Sequence, residues 1–112
     1  MALSLVPTVL YRGQPANTTT TLYTVTNSAS KFAIVKNIMI CNPTASSATI
    51  SMASVASGGS ESDANRFMKD LTVAAKTTLQ FDLSMILGQN ESLRATASAS
   101  TTITVIVSGV IN

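Results

Sequence analysis

The stretch Phe32-Ala33-Ile34-Val35-Lys36-Asn37-Ile38-Met39-Ile40-Cys41 is the longest β-favouring apolar run in the sequence and contains a single charge. β-branched and large apolar side chains fit a pleated, buried surface, so this run reads as the central strand of a β-sandwich. It stops at Asn42-Pro43-Thr44, where Pro43 has no amide to donate and Asn42 suits a turn. Phe32, Ile34, Ile38 and Ile40 share one parity, and Lys36 breaks it. Either Lys36 and Asn37 form a bulge that shifts the alternation, or the strand runs past the core there. The other parity carries Val35, Met39 and Cys41, which predicts a strand covered on both faces over part of its length.

The flanking sequence supplies partners for that strand. Residues 2–11 alternate weakly around Pro7, which an inner strand would not tolerate, so residues 1–12 read as an N-terminal arm or edge strand. Residues 18–26 are β-branched and polar, with Leu22 and Val25 as apolar anchors. Residues 49–56 form a further strand with Ile50 and Met52 inward. A long, flexible Gly/Ser loop follows over 57–63. Residues 65–74 resume β character through Phe67, Leu71 and Val73, with a short helix over 66–70 as the competing reading. Leu79, Phe81 and Leu83 alternate with Gln80 and Asp82, giving one buried and one wet face. Ser84 can cap and Gly88 can end one helical turn. Leu93, Ala95, Ala97 and Ala99, and then Ile103, Val105 and Val107, alternate with polar residues. The small alanines predict close approach of an opposing sheet. About eight strands and no long helix make the expected fold an all-β, single-domain antiparallel β-sandwich of jelly-roll type spanning residues 1–112.

Charge narrows the function. Only 11% of the residues are charged, against a typical ~25%. A free surface so poor in charge favours association, so part of it is expected to be covered by a partner or by copies of the chain, as a dimer or trimer. Seven basic residues against five acidic give a net charge of +2, and the basic ones are spread singly with few aromatics between them. Phosphate tracking needs clustered cations and stacking rings, so no nucleic acid is expected. No apolar stretch approaches the ~20 residues of a membrane span, and residues 1–7 lack the charged region of a signal peptide. The chain is therefore expected to be made in a cytoplasm, without membrane association, and either to stay there or to leave inside a larger particle. The single cysteine, Cys41, has no internal disulfide partner and reads as a packing residue.

There is no histidine, which removes the commonest general base and metal ligand and every Ser-His or Cys-His nucleophile. Glu61 and Asp63 are the only acids close in sequence, and the Gly/Ser loop offers no pocket to tune them. Glu61-Ser62-Asp63-Ala64-Asn65 opens as a calcium loop would but lacks the later bidentate Glu. The expectation is a protein with no catalytic residues, no cofactor and no metal. Tyr11 and Tyr23 are the candidate rings of a receptor- or glycan-binding adhesin, the alternative from another class.

The succession Leu22-Tyr23-Thr24-Val25, then Ala33 through Asn42, then Ser57-Gly58-Gly59, and finally Ser108-Gly109-Val110 resembles small virion proteins of tailed bacteriophages. The resemblance implies a jelly-roll or sandwich domain that attaches to the particle, as decoration proteins, neck components and tail appendages do. It carries over no binding residues. The reading that follows is a capsid decoration or cement protein, whose partners are the major capsid protein or other virion structural proteins. A neck, tail or baseplate protein is the alternative. The expected contact surfaces are the arm around Leu3, Leu5 and Val9 and the segment Arg66, Phe67 and Met68.

Overall fold

The structure is a computed structural model that describes residues 5–112. It contains eight strands: β1 (Val6–Gly13), β2 (Thr20–Thr24), β3 (Ala33–Asn42), β4 (Ala48–Val55), β5 (Arg66–Val73), β6 (Thr77–Leu87), β7 (Ser92–Ala97) and β8 (Thr104–Ile111). They form two four-stranded antiparallel sheets, β1-β8-β3-β6 and β2-β7-β4-β5. The first strand pairs with the last, the second with the seventh, the third with the sixth and the fourth with the fifth. The chain is thus one long hairpin with its tip between β4 and β5. Wrapping that hairpin adds the β3–β8 and β4–β7 pairings. This is the wrapping of a jelly roll.

The core is the space between the sheets. Leu10, Val35, Ile38, Ile40, Leu87, Val105 and Val107 enter it from one sheet, and Leu22, Ile50, Met52, Val73, Leu93 and Ala95 from the other. The β7 alanines sit beside bulky β4 neighbours, Ala97 opposite Ile50 and Ala95 opposite Met52, so large and small side chains alternate across the layer. Ala99 lies beyond β7 and is exposed.

β3 is an inner strand, as its composition predicts. Of the two readings of Lys36, the bulge is the one found: the register of β3 steps between Val35 and Asn37 against both neighbours. Ala33 and Val35 point inward before it, and Ile38, Ile40 and Asn42 after it. The expected two-sided burial is corrected, because Met39 is exposed and Cys41 and Ile34 are half-buried on the outer face. One-sided alternation with a phase shift looks, in sequence, like apolar residues on both parities.

Two open alternatives are decided, and one further expectation changes. From Val6 onward the N-terminal segment is a paired edge strand with Leu10 in the core, while residues 2–4 of the expected arm lie outside the described residues. No helix forms over 66–70, where β5 runs, and no helical turn forms over 84–88, because β6 continues to Leu87 by pairing Met85 with Val35 and Leu87 with Ala33. Apolar Met85-Ile86-Leu87 satisfies strand and helix patterns alike, and tertiary pairing decides.

Two small groups fix the geometry. A Cβ on Gly109 would collide with the carbonyl oxygen of Ile34 and press on Leu10 Cδ1 at 3.1 Å, because β8 is held between two strands that bulge at this level. Asn42 is fully buried and closes the β3–β4 turn. Its Nδ2 donates to the carbonyls of Ser46 (2.8 Å) and Val73 (2.9 Å), and its Oδ1 accepts from Thr44 N (3.0 Å) and Thr44 Oγ1 (2.7 Å).

Gly109→Ala is expected to destabilise the fold by about 3 kcal/mol, since overpacking against backbone cannot relax by a rotamer change. Denaturant unfolding measures it; a change below experimental error would show that β8 shifts freely. Asn42→Ala removes its four hydrogen bonds from a buried position and is expected to cost about 2 kcal/mol in the same assay.

Candidate functional site

The two sheets present different kinds of outer face. On β2-β7-β4-β5 the outward residues are polar, and Asn17, Thr49, Ser51, Arg66, Lys69, Asp70, Thr96 and Ser98 line an open cleft of about 450 Å3. The loop between β4 and β5 folds over the rest of this face. Gly59 N donates to Ala56 O (2.9 Å), Asn65 N and Arg66 N to Ser62 O (3.1 Å each), and Asn65 Nδ2 to Ser60 O (2.8 Å). Outward-facing Ala53 and Val55 are buried here. The expectation of a flexible Gly/Ser loop is therefore corrected to a bonded flap.

An ion-pair chain pins the flap. The Glu61 side chain, 1% exposed, accepts from Arg66 Nε (2.9 Å) and from Thr96 Oγ1 (3.0 Å). Arg66 Nη1 and Lys69 Nζ both donate to Asp63 Oδ1, at 2.6 and 2.8 Å. These hydrogen bonds, that of Lys69 first and that of Arg66 second, hold the exposed Asp63 carboxyl below its ordinary value, while the bond to Glu61 raises the Arg66 guanidinium. Both carboxylates are committed to cations instead of converging on a free point, and no group of metal-ligating side chains occurs among the described residues.

The outer face of β1-β8-β3-β6 is mixed, and one of its rows is wholly apolar. The register aligns Pro7, Val110, Ile34 and Ile86 in one row across all four strands. Ile86 is 66% exposed, and Leu5, just before β1, is half exposed. A second row runs Arg12, Ile106, Met39 and Gln80, and between them lies Val9, Ser108, Asn37 and Asp82. A groove of about 300 Å3 crosses β1 and β8 between Pro7, Val9 and Ser108. The charges on this face are Arg12, Lys36 and Asp82. Lys36 Nζ donates to Ser84 Oγ (2.8 Å), and Asn37 Nδ2 to Asp82 Oδ1 (2.8 Å).

The predicted contact residues divide between these surfaces. Leu5 and Val9 (47% exposed) belong to the apolar face, and Leu3 lies outside the described residues. Arg66 is tied into the ion-pair chain, Phe67 is exposed at a bulge of β5, and Met68 packs against the core. β1 and β5 are edge strands of different sheets, so the two segments do not form one surface. Sequence reasoning missed Ile34, because the phase shift at Lys36 hides which parity of β3 faces out, and Ile86, because 84–88 reads as a helical turn; Val110 lies in the last residues, to which the sequence reading gives no face. Tyr11 and Tyr23 are half-buried against the core, and neither offers an open ring platform.

Lys69→Ala is expected to raise the Asp63 pKa toward the ordinary carboxylate value, measured by NMR titration. Because the folded value is depressed, Asp63 contributes stability that is present above its unfolded pKa and is lost as pH falls through the folded one. Lys69→Ala should therefore shrink that acid-side loss; an unchanged titration would break the assignment.

No family model matches the sequence, and no curated protein matches it. Among solved structures the chain is similar to one in the structure of infectious bursal disease virus, Gx strain, with a TM-score of 0.53 and 12% identity. The match covers 96% of this chain and 30% of that one, so this chain spans under a third of the viral chain's length. At this identity the likeness shows the fold: a β-sandwich that a viral chain also uses.

Proposed function

We propose that this protein is a non-enzymatic structural component of a virion, and that it binds the shell of a tailed bacteriophage as a capsid decoration or cement protein. The observation that carries the reading is the apolar row Pro7-Val110-Ile34-Ile86 across one outer face. The row is exposed at Pro7 and Ile86 and half-exposed at Val110 and Ile34 between them, and an apolar strip of this kind on a small domain marks a surface for a partner to cover. The likeness in fold to a chain of a virus structure and the resemblance of the sequence to small virion proteins support the same direction. Attachment would stabilise the shell by linkage. A protein that binds only the assembled particle contributes about 2.7 kcal/mol per site at a hundredfold excess over Kd.

The test has two parts. Quantitative mass spectrometry of purified virions gives copy number: copies in proportion to the major capsid protein fit decoration, a small ring of copies moves the protein to the neck, tail or baseplate, and absence overturns the virion reading. Co-sedimentation with shells lacking the protein then tests the face. Ile34→Lys and Val110→Lys are each expected to weaken binding at least tenfold, about 1.4 kcal/mol, while Lys69→Glu on the opposite sheet leaves it unchanged. The reverse pattern would exclude the apolar face.

A further inference from the structure

Each sheet has two edge strands, and an edge offers unpaired backbone groups to any other strand. Three of the four edges carry features that discourage this. β1 contains Pro7 and a register shift between Val9 and Tyr11. β2 is five residues long and shifts between Thr21 and Tyr23. β5 carries Arg66, Lys69 and Asp70, has two register shifts, and holds Asp70 at a φ of 47°. β6 differs. It is eleven residues long, has no proline, carries only Asp82 as a charge, and alternates inward and outward without a break from Thr77 to Leu87. Like the other edges β6 carries an extra residue, Leu83 and Ser84 standing opposite the single Lys36 of β3, but its alternation runs through this step intact. Its inward side chains Leu79, Phe81, Leu83 and Met85 are only half-buried, although the matching residues of inner strands β3 and β8 are closed from solvent. Strand and core are both left open along this flank.

We infer that β6 is the edge through which two copies of this chain pair, antiparallel about a two-fold axis, joining two four-stranded sheets into one of eight strands. The side chains select the register. Inward residues of one copy must meet inward residues of the other, so the axis passes through a residue position and not between two. An axis at Asp82 would set the two Asp82 carboxylates opposite one another, which is destabilising. An axis at Leu83 sets each Asp82 opposite the partner's Ser84, the hydroxyl that already receives the partner's Lys36 ammonium at 2.8 Å. Opposed residues in an antiparallel pair have Cβ atoms about 5 Å apart, so each carboxylate then lies within reach of a Lys36 across the axis, twice per dimer. The same register puts Phe81 beside Met85 and Leu79 beside Leu87, closing the half-buried row on both sides. A second copy is therefore complementary in pattern and in charge, and this inference does not depend on attachment to a shell.

Sedimentation equilibrium of the full chain tests it. The wild type is expected to be a reversible dimer. Lys36→Glu and Asp82→Lys, both at exposed positions, are each expected to raise the dimer Kd at least tenfold, and the double variant is expected to bring it back near wild type. Hydrogen exchange on the wild-type chain needs no variant: amides within β6 should slow as protein concentration rises, while those of β1 and β5 do not change. A monomer at every concentration, a dimer indifferent to both charge reversals, or concentration-independent exchange in β6 would each overturn the proposal.

Discussion

The phase shift at Lys36 is the constraint from which the rest of the architecture follows. A strand has a strict two-residue period, and a ten-residue strand with one phase could not send Ala33, Val35, Ile38 and Ile40 to the same side. By placing Lys36 and Asn37 consecutively outward, the bulge lets both halves of β3 feed one core. Its neighbours must adapt. β8 meets the step at the level where it carries Gly109, the residue with room to let the Ile34 carbonyl approach. β6 meets it at Ser84, which receives the displaced lysine. One register step in an inner strand thus decides where glycine is needed, which side chains of that strand face out, and where a cation stands beside a free edge.

That chain of consequences explains what the sequence shows and what it hides. Eight strands, the edge character around Pro7, the inner place of β3 and the inward Ile50 and Met52 are legible because they depend on local composition and on two-residue alternation. Met85-Ile86-Leu87 is not, because strand and helix patterns agree over three apolar residues and only pairing with Ala33 and Val35 chooses between them. The flap between β4 and β5 is hidden for another reason. Gly58, Gly59 and five hydroxyl or acidic neighbours look like solvated loop, and the partner that helps order them, Thr96, is thirty-five residues from Glu61. The outer apolar row is hidden too, since it collects one residue from each of four strands that are distant in sequence.

Charge is sparse in this protein, and its distribution matters more than its amount. Glu61, Asp63, Arg66 and Lys69 are concentrated beside the polar sheet, where they hold the flap against Ala53 and Val55. Surface ion pairs of this kind add little net stability, but the buried carboxylate would be costly without its arginine, so the network fixes geometry more than it raises the melting point. The opposite sheet is left with Arg12, Lys36 and Asp82 around an apolar row. One face is finished as solvent-facing surface and the other is not.

The free edge and the apolar face belong to the same sheet, and this makes the two proposed interactions compatible. An edge pairing uses backbone groups in the plane of the sheet, whereas docking uses side chains perpendicular to it, so neither consumes the surface of the other. Extending β1-β8-β3-β6 across a two-fold would set two copies of the Pro7-Val110-Ile34-Ile86 row on one continuous face, with the Ile86 residues nearest the axis and the Pro7 residues at the outer ends. Two linked weak sites on a surface that repeats its own subunits bind with an effective concentration set by their fixed separation, and avidity then exceeds the affinity of either site. Because the second row would come from strand pairing and not from a flexible tether, little entropy is lost on engaging it. A modest apolar row on a small sandwich is a poor ligand alone, and its doubling on a rigid sheet is what would make it an adequate one.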